Sequence, residues 1–183
     1  ADWQFGHLVY GEPYCPLVAT ITREALNLCV EKADKIAAAD EEGIRFLIEA
    51  LIQSGLAMLL FGQSHPASGG EHHLSHYWEM EFLRQNRPQV LHGVKVGVAV
   101  ALLAEVYERE FIPFLYILRK LDDTIKTIED YSIVRNIKEN IEEIKAAYAA
   151  IPKASQLREL IEKVEGEILP SQLGIDGNFV MRS

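Results

Sequence analysis

Apolar residues recur every three or four positions along most of this chain, which is the spacing of helices that bury one face. This spacing predicts helices over the following ranges: 1–9, 17–39, 40–61, 69–87, 91–110, 122–150 and 155–168. The segment 111–121 is apolar but is broken by Pro113, and 171–183 begins a further element. No stretch is typical of a β-strand, since the Val-rich run at 94–100 has neighbours that favour helix. We therefore predict an all-α fold, a multi-helix bundle without a sheet.

Two of the predicted helices are apolar around most of their circumference. The helix over 40–61 begins at acidic residues and ends at Gly62, and we expect it at the centre of the fold. The second helix is apolar nearly all round from Val94 to Val106, so it is expected to be buried on all sides. Lys95 is the exception, and its stem is expected to reach the surface from the first turn of this helix.

Composition limits the classes of protein to which the chain can belong. Its 183 residues are 49% hydrophobic and 25% charged, which predicts one globular domain over 1–183. The formal net charge of −9 argues against nucleic-acid partners and against adhesion to anionic membranes, because both need a basic surface. We expect no membrane span and no signal peptide, and therefore a cytoplasmic location. Cys15 and Cys29 indicate neither a disulfide framework nor a Cys-x-x-Cys metal site.

Residues 64–93 contain five of the six histidines. Within them, Ser68 and Glu71 have the spacing of a capping box, in which each side chain bonds a backbone N–H at the start of a helix. We therefore predict a helix that begins at Gly69. A second helix is predicted to begin near Leu91.

The histidines of these two helices are candidates for a metal site. His72 and His76 are neighbours on one face of the first helix, whereas His73 lies about 100° away. His92 falls in the first turn of the second helix, so it can approach the other two. Neutral imidazoles on rigid helices, completed by a carboxylate, are a frequent form of metal site. The pattern alone leaves open that these histidines only cap or pack. The zinc-protease motif His-Glu-x-x-His is absent, because Glu71 precedes His72.

Two motifs in this region resemble those of a known enzyme family. They are SHPASGGEHHLSH at 64–76 and LHGVKVG at 91–97, and they resemble motifs of the sn-glycerol-1-phosphate dehydrogenases. This family belongs to the superfamily of iron-containing alcohol dehydrogenase, glycerol dehydrogenase and dehydroquinate synthase. The resemblance implies an N-terminal α/β domain that binds NAD or NADP and a C-terminal helical domain that holds the metal. The chain resembles the helical domain alone, and it contains no Gly-x-Gly-x-x-Gly turn after a strand.

The resemblance also implies roles for individual residues. His72 and His92 correspond to two metal ligands, and the third, an aspartate, is expected upstream of Ala1. His76 corresponds to a substrate contact that would orient the substrate or help to relay a proton. The metal would be zinc, nickel or iron, acting as a Lewis acid on the ketone of dihydroxyacetone phosphate. NADH or NADPH would supply the hydride that forms sn-glycerol 1-phosphate.

The phosphate of this substrate is expected near the start of the first histidine helix. There, Ser68 and the two glycines that follow it would offer backbone N–H groups to an anion. His65 stands where the family usually has an arginine, and it is expected to donate to the phosphate in its place. We expect a homo-oligomer for the longer enzyme, and we expect the chain by itself to be an inactive fragment.

Two other functions are compatible with the sequence. Within the same superfamily, the substrate would be glycerol or another polyol, or a sugar phosphate in a lyase-type relative. Outside it, the chain would be a non-catalytic helical module for metal binding or protein interaction. A tight metal site within this chain alone would favour the second of these.

Overall fold

The computed structural model describes residues 1–120 and 128–183. Within these residues every regular element is helical, which confirms the predicted all-α fold. The α-helices are α1 (Asp2–Tyr10), α2 (Pro16–Glu31), α3 (Ala33–Ala37), α4 (Glu41–Phe61), α5 (Gly70–Arg84), α6 (His92–Val106), α7 (Ile112–Leu118), α8 (Ile128–Glu139), α9 (Ile141–Ala149), α10 (Ala154–Lys163) and α11 (Gly177–Arg182). A π-helix (Tyr107–Phe111) joins α6 to α7, and a 3₁₀-helix (Pro170–Leu173) precedes α11.

The chain divides into two compact units. The first unit comprises Ala1–Tyr14 with Ala104–Lys153, and the second comprises Cys15–Leu103 with Ala154–Ser183. Each unit has its own apolar core. The buried core of the first unit contains Val9, Leu115, Leu118, Ile137, Ile141, Ile144 and Tyr148. The buried core of the second unit contains Trp78, Phe82, Val98, Ala99, Leu173, Ile175 and Phe179. It stays a prediction that residues 1–183 form one helical domain that binds metal and substrate.

Two of the predicted helices are each divided in two. The helix expected over 17–39 breaks at Lys32, whose ammonium lies 5.4 Å from the centre of the Phe46 ring. The helix expected over 122–150 is described from Ile128, and it breaks at Asn140; residues 122–127 lie outside the described residues. The Asn140 amide donates to the carbonyl of Asn136 at 2.9 Å. Asparagine side chains that bond the backbone in this way compete with the continuation of a helix.

Pro113 does not break the chain where the sequence suggested a break. It lies in the first turn of α7, and the chain stays helical from α6 through the π-helix into α7. Proline has no N–H and so removes one bond from the regular helical ladder. The π-helix directly before α7 adjusts the hydrogen bonding at this point without ending the helix.

Helix α4 is not at the centre of the fold, contrary to the prediction. It packs against α2 and α3 on one side only, and its other side is exposed. The exposed apolar residues of α4 are Ile44, Ile48, Leu51, Ile52, Leu56, Leu59 and Leu60. The prediction that no stretch could span a bilayer is also wrong by length and composition, because α4 is long and apolar enough to do so. A single such helix in the described chain is weak evidence for a membrane protein, since core helices pass the same test.

The start of α4 depends on a close approach of two backbones. The Asp40 side chain caps the helix by accepting from the N–H of Gly43 at 2.6 Å. A Cβ atom added to Gly43 would lie 2.2 Å from the backbone oxygen of Lys35. Residue 43 must therefore be a glycine for α3 and α4 to pack as they do. Gly55 lies further along the same helix, where an added Cβ would meet nothing within 4 Å.

Two tyrosines in the first unit donate to one carboxylate. Tyr148 donates to Asp2 Oδ1 at 2.9 Å, and Tyr107 donates to both oxygens at 3.0 Å. Burial, and then the nearby Asp2 charge, raise the pKa of Tyr148 far above its usual value. These bonds join α1 to α9 and to the π-helix, and Asp2 therefore has a structural role in the first unit.

The contrast between the two glycines of α4 gives a stability prediction. We expect Gly43→Ala to destabilise the chain by about 1–3 kcal/mol, because the new methyl group overlaps the backbone at Lys35. We expect Gly55→Ala to be neutral or to stabilise by up to about 1 kcal/mol, because alanine loses less backbone entropy in a helix. Urea unfolding of the two variants measures both changes. Equal effects would show that α3 does not approach α4 as described.

The tyrosine–carboxylate network gives a second stability prediction. We expect Tyr148→Phe to lower the free energy of unfolding by about 1.5–3 kcal/mol, the range for a hydrogen bond to a charged group. The control is Tyr116→Phe, because Tyr116 is 51% exposed and its ring keeps its contact with Lys145. Chemical denaturation of both variants tests this. A Tyr148→Phe variant as stable as the control would show that the Tyr148–Asp2 hydrogen bond does not stabilise this unit.

Candidate metal and substrate site

The site begins at the N-terminus of α5, which is capped differently from the prediction. The helix starts at Gly70 rather than Gly69, and Gly69 occupies the cap position without a side-chain bond. The Ser68 hydroxyl is therefore not the cap. Instead, Oε1 of Glu71 accepts from the Gly69 N–H at 2.8 Å. Glu71 therefore bonds a backbone N–H at the helix start, as the capping box predicted, and its carboxylate also interacts favourably with the helix dipole.

One face of α5 carries four polar side chains of the site. They lie at positions i, i+3, i+4 and i+7 of a helical face: His72, Ser75, His76 and Glu79. The first turns of α6 supply His92 and Lys95, which are also three residues apart. Apolar side chains hold the two helices in place, because Trp78 and Phe82 of α5 belong to the same buried core as Val98 and Ala99 of α6.

The three histidines predicted to meet do lie together. The ring centres of His72 and His92 are 5.4 Å apart, and those of His76 and His92 are 5.1 Å apart. The His72 side chain is 27% exposed, whereas the His76 side chain is 63% exposed. His92 therefore lies between a partly covered imidazole and one that faces solvent.

Each of the three rings is held through its Nδ1 atom by a different side chain. His72 Nδ1 lies 2.8 Å from Glu71 Oε1, and His76 Nδ1 lies 3.4 Å from Glu79 Oε2. His92 Nδ1 lies 3.4 Å from the hydroxyl oxygen of the buried Ser75. Histidines that bind metals are usually oriented in this way by a partner at their other nitrogen. The arrangement leaves the three Nε2 atoms for a ligand.

Glu79 adds a carboxylate that the sequence analysis missed. Donor atoms of His76, Glu79 and His92 lie within 4.8 Å of one another, and this group could hold a metal ion. The set differs from the predicted pair of His72 and His92, which the resemblance implied. Two imidazoles and a carboxylate fit zinc, nickel or iron. The position of Glu79, three residues after His76 on one helix face, was the signal that could have identified it.

Lys95 does not reach the surface, contrary to the prediction. Its side chain is 0% exposed, and Nζ lies 3.5 Å from Glu79 Oε1. The prediction failed because the surroundings of α6 cover the whole stem, so no path to water remains for the ammonium group. Burying a charged group is costly unless it is paired, and Glu79 supplies the opposite charge.

The charges around the site shift two pKa values. Partial burial acts to raise the pKa of Glu79, but Lys95 and a hydrogen bond from His76 outweigh it, so the pKa is lowered. Desolvation lowers the pKa of His92, and the neighbouring His72 and His76 lower it further. A neutral His92 is the form that can bind a metal.

The remaining predicted residues lie before α5 or on its other side. Ser68 is half-buried immediately before the cap of the helix, and His73 is exposed. His65 is exposed, and its ring meets that of Phe61 edge-on at 6.3 Å. The phosphate-binding roles of Ser68 and His65 stay predictions.

The lowered pKa of His92 predicts how the metal-free chain titrates. We expect the titration midpoint of His92, followed by NMR, to lie below the ordinary histidine pKa of about 6.5. His72→Gln removes one neighbouring positive charge and is expected to raise that midpoint, whereas the exposed control His73→Gln is not. Because the unfolded chain binds this proton more readily, stability is lost as the pH falls through the ordinary histidine range. A midpoint at or above the ordinary value would contradict the described surroundings of His92.

Comparison with known proteins confirms the resemblance seen in the motifs. No protein-family model matches the chain. The glycerol-1-phosphate dehydrogenase [NAD(P)+] of Geobacillus thermodenitrificans is 50% identical over all 183 residues, and that of Bacillus subtilis is 40% identical over 182 residues. The enzyme of the same name from Pyrococcus abyssi is 32% identical over 127 residues, which are 69% of this chain.

The match covers a minor part of each relative. The chain spans 44% of the length of the Geobacillus thermodenitrificans protein and 41% of the Bacillus subtilis protein. The helices with the clustered histidines lie within the matched part, since the whole chain is aligned. Over its whole length, this chain is therefore homologous to part of the glycerol-1-phosphate dehydrogenases.

Proposed function

We propose that this chain is the metal- and substrate-binding part of an NAD(P)-dependent glycerol-1-phosphate dehydrogenase. The observation that carries the proposal is the group of three imidazoles, each held at Nδ1, on a chain that is 50% identical to such an enzyme. The reaction would interconvert dihydroxyacetone phosphate and sn-glycerol 1-phosphate. The longer enzyme would work in the cytoplasm as a homo-oligomer, without nucleic-acid or membrane partners.

His72 and His92 are the proposed metal ligands within this chain. Glu71 holds His72 and Ser75 holds His92, so both rings present Nε2 without losing further side-chain entropy when an ion binds. A bound divalent metal would polarise the ketone oxygen of the substrate and stabilise the alkoxide. The remaining ligand would come from a residue outside the chain.

His76 is the proposed substrate contact. Its ring is more exposed than that of His72, and it lies beside His92, so it would be able to contact a substrate held at the proposed ligands. With Nδ1 held by Glu79, its Nε2 atom would orient the substrate hydroxyl or help to relay its proton. The phosphate would lie near Ser68 and His65, although Glu71 places a negative charge at the same helix end.

The nicotinamide cofactor would bind outside this chain. The relatives carry NAD(P)+ in their names, and the described residues contain no parallel sheet on which a dinucleotide could bind. Hydride transfer would then take place between this helical part and a cofactor-binding part. For that reason we expect the 183-residue chain alone to show no turnover.

The proposal is tested in a chimaera in which this chain replaces the matched residues of the Geobacillus thermodenitrificans enzyme. We expect it to reduce dihydroxyacetone phosphate with NADH or NADPH, to lose activity to a chelator and to regain it with zinc or nickel. His72→Ala and His92→Ala are expected to lower metal content and activity by at least about 10–100-fold, since even outer-shell changes cost this much.

The exposed His73 is the matched control, since His73→Ala lies on the same helix and is expected to change neither quantity. Turnover of glycerol or dihydroxyacetone in preference to the phosphate would refute the proposed substrate. Full metal content in both ligand variants would refute the proposed ligands.

A further inference from the structure

Lys95 is a buried charge that the proposed reaction does not yet use. Its side chain is 0% exposed on a mostly apolar helix, and its contact with Glu79 is a long one, at 3.5 Å. A methionine of similar length would pack at this position without the cost of burying an ammonium group. Packing therefore does not explain why this position is a lysine. The partner of its charge is Glu79, so the role of Lys95 is sought in that contact.

Glu79 divides its two oxygens between two partners. Oε1 faces Lys95 Nζ at 3.5 Å, and Oε2 faces His76 Nδ1 at 3.4 Å. The Glu79 side chain is 35% exposed, so without Lys95 its carboxylate would be able to turn towards water. A carboxylate only accepts hydrogen bonds, and its contact with Nδ1 therefore favours the tautomer with the proton on Nδ1. In that tautomer, Nε2 of His76 is the acceptor.

We propose that Lys95 and Glu79 are positioning residues for His76: Lys95 fixes the carboxylate of Glu79, and Glu79 fixes the ring and the tautomer of His76. The imidazole then presents an unprotonated Nε2 beside His92, ready to accept a hydrogen bond or a proton from the substrate hydroxyl. This inference rests on the proposed function, in which His76 contacts the substrate. Neither Lys95 nor Glu79 has to touch the substrate itself.

The tautomer of His76 can be measured without any turnover. In the 15N-labelled, metal-free 183-residue chain at a pH of about 8.5, well above the ordinary histidine pKa, we expect the Nδ1–H form to dominate. Lys95→Met is expected to shift the ratio of the two tautomers by roughly tenfold towards Nε2–H, as expected for loss of a hydrogen bond to a charged group. Lys95→Arg keeps the charge and is expected to restore part of the original ratio.

A matched control removes another lysine of the second unit that also pairs with a carboxylate. Lys163 is 45% exposed and lies 2.6 Å from Asp34, and we expect Lys163→Met to leave the His76 tautomer unchanged. If Lys95→Met alone fails to fold, Lys95→Met with Glu79→Gln removes both charges of the pair. That double variant is expected to show the same shift.

The chimaera described above supplies a second readout. Lys95→Met is expected to lower kcat by up to about tenfold, which is no more than the expected shift in the tautomer ratio, with little change in KM or metal content. If the unsubstituted chimaera does not act on dihydroxyacetone phosphate, the proposed function fails while the NMR measurement still tests the positioning of His76. The two failures are therefore distinguishable.

Two results would overturn the inference. An unchanged tautomer and kcat in Lys95→Met would make Lys95 a structural residue only. Loss of bound zinc from Glu79→Gln, measured with zinc alone, would make Glu79 a metal ligand with His76 and His92 rather than a positioning residue.

Discussion

A buried ammonium group has to face an opposite charge, and this requirement organises the candidate site. Lys95 of α6 is fully covered, and the carboxylate it faces belongs to Glu79 of α5. The pairing fixes which face of α5 meets the start of α6, because Glu79 shares that face with His72, Ser75 and His76. His92 lies three residues before Lys95, so the same contact brings the imidazoles together. The apolar core formed by Trp78, Phe82, Val98 and Ala99 holds the two helices close, but it does not specify this rotation as a charge pair does.

The chemistry of the site follows from how the imidazoles are held. Each ring uses Nδ1 for a neighbouring side chain, and each keeps Nε2 for a ligand. Two of the three partners are carboxylates, which bias the tautomer and add negative charge beside a prospective cation, whereas Ser75 is neutral. Because the pKa of His92 is lowered, its ring stays neutral down to a lower pH than an ordinary histidine. The neutral ring is the form that binds metals.

The first unit and α4 show that the chemical character of a residue does not by itself determine its role. Asp2 is an acidic residue, yet two tyrosine hydroxyls occupy its carboxylate, so it fastens α1 to α9 and the π-helix. Helix α4 is long and apolar enough to cross a membrane, yet in this fold it packs on one side and is exposed on the other. In both places the partners of the side chain determine its role, and these partners come from distant parts of the chain.

The sequence by itself determined the helical class, most helix positions and the histidines of the site, because these depend on local spacing. Residues three or four apart share a helix face whatever surrounds them, so His72 and His76 could be paired, and Gly62 could be placed at the end of α4. Tertiary structure alone decided the burial of Lys95 and the exposure of α4. Each of these depends on which groups from elsewhere exclude water or complete a hydrogen bond, and a one-dimensional pattern does not record those distances. Glu79 lies between the two cases: its spacing from His76 was visible in the sequence, but its contact with Lys95 required the packing of α5 on α6.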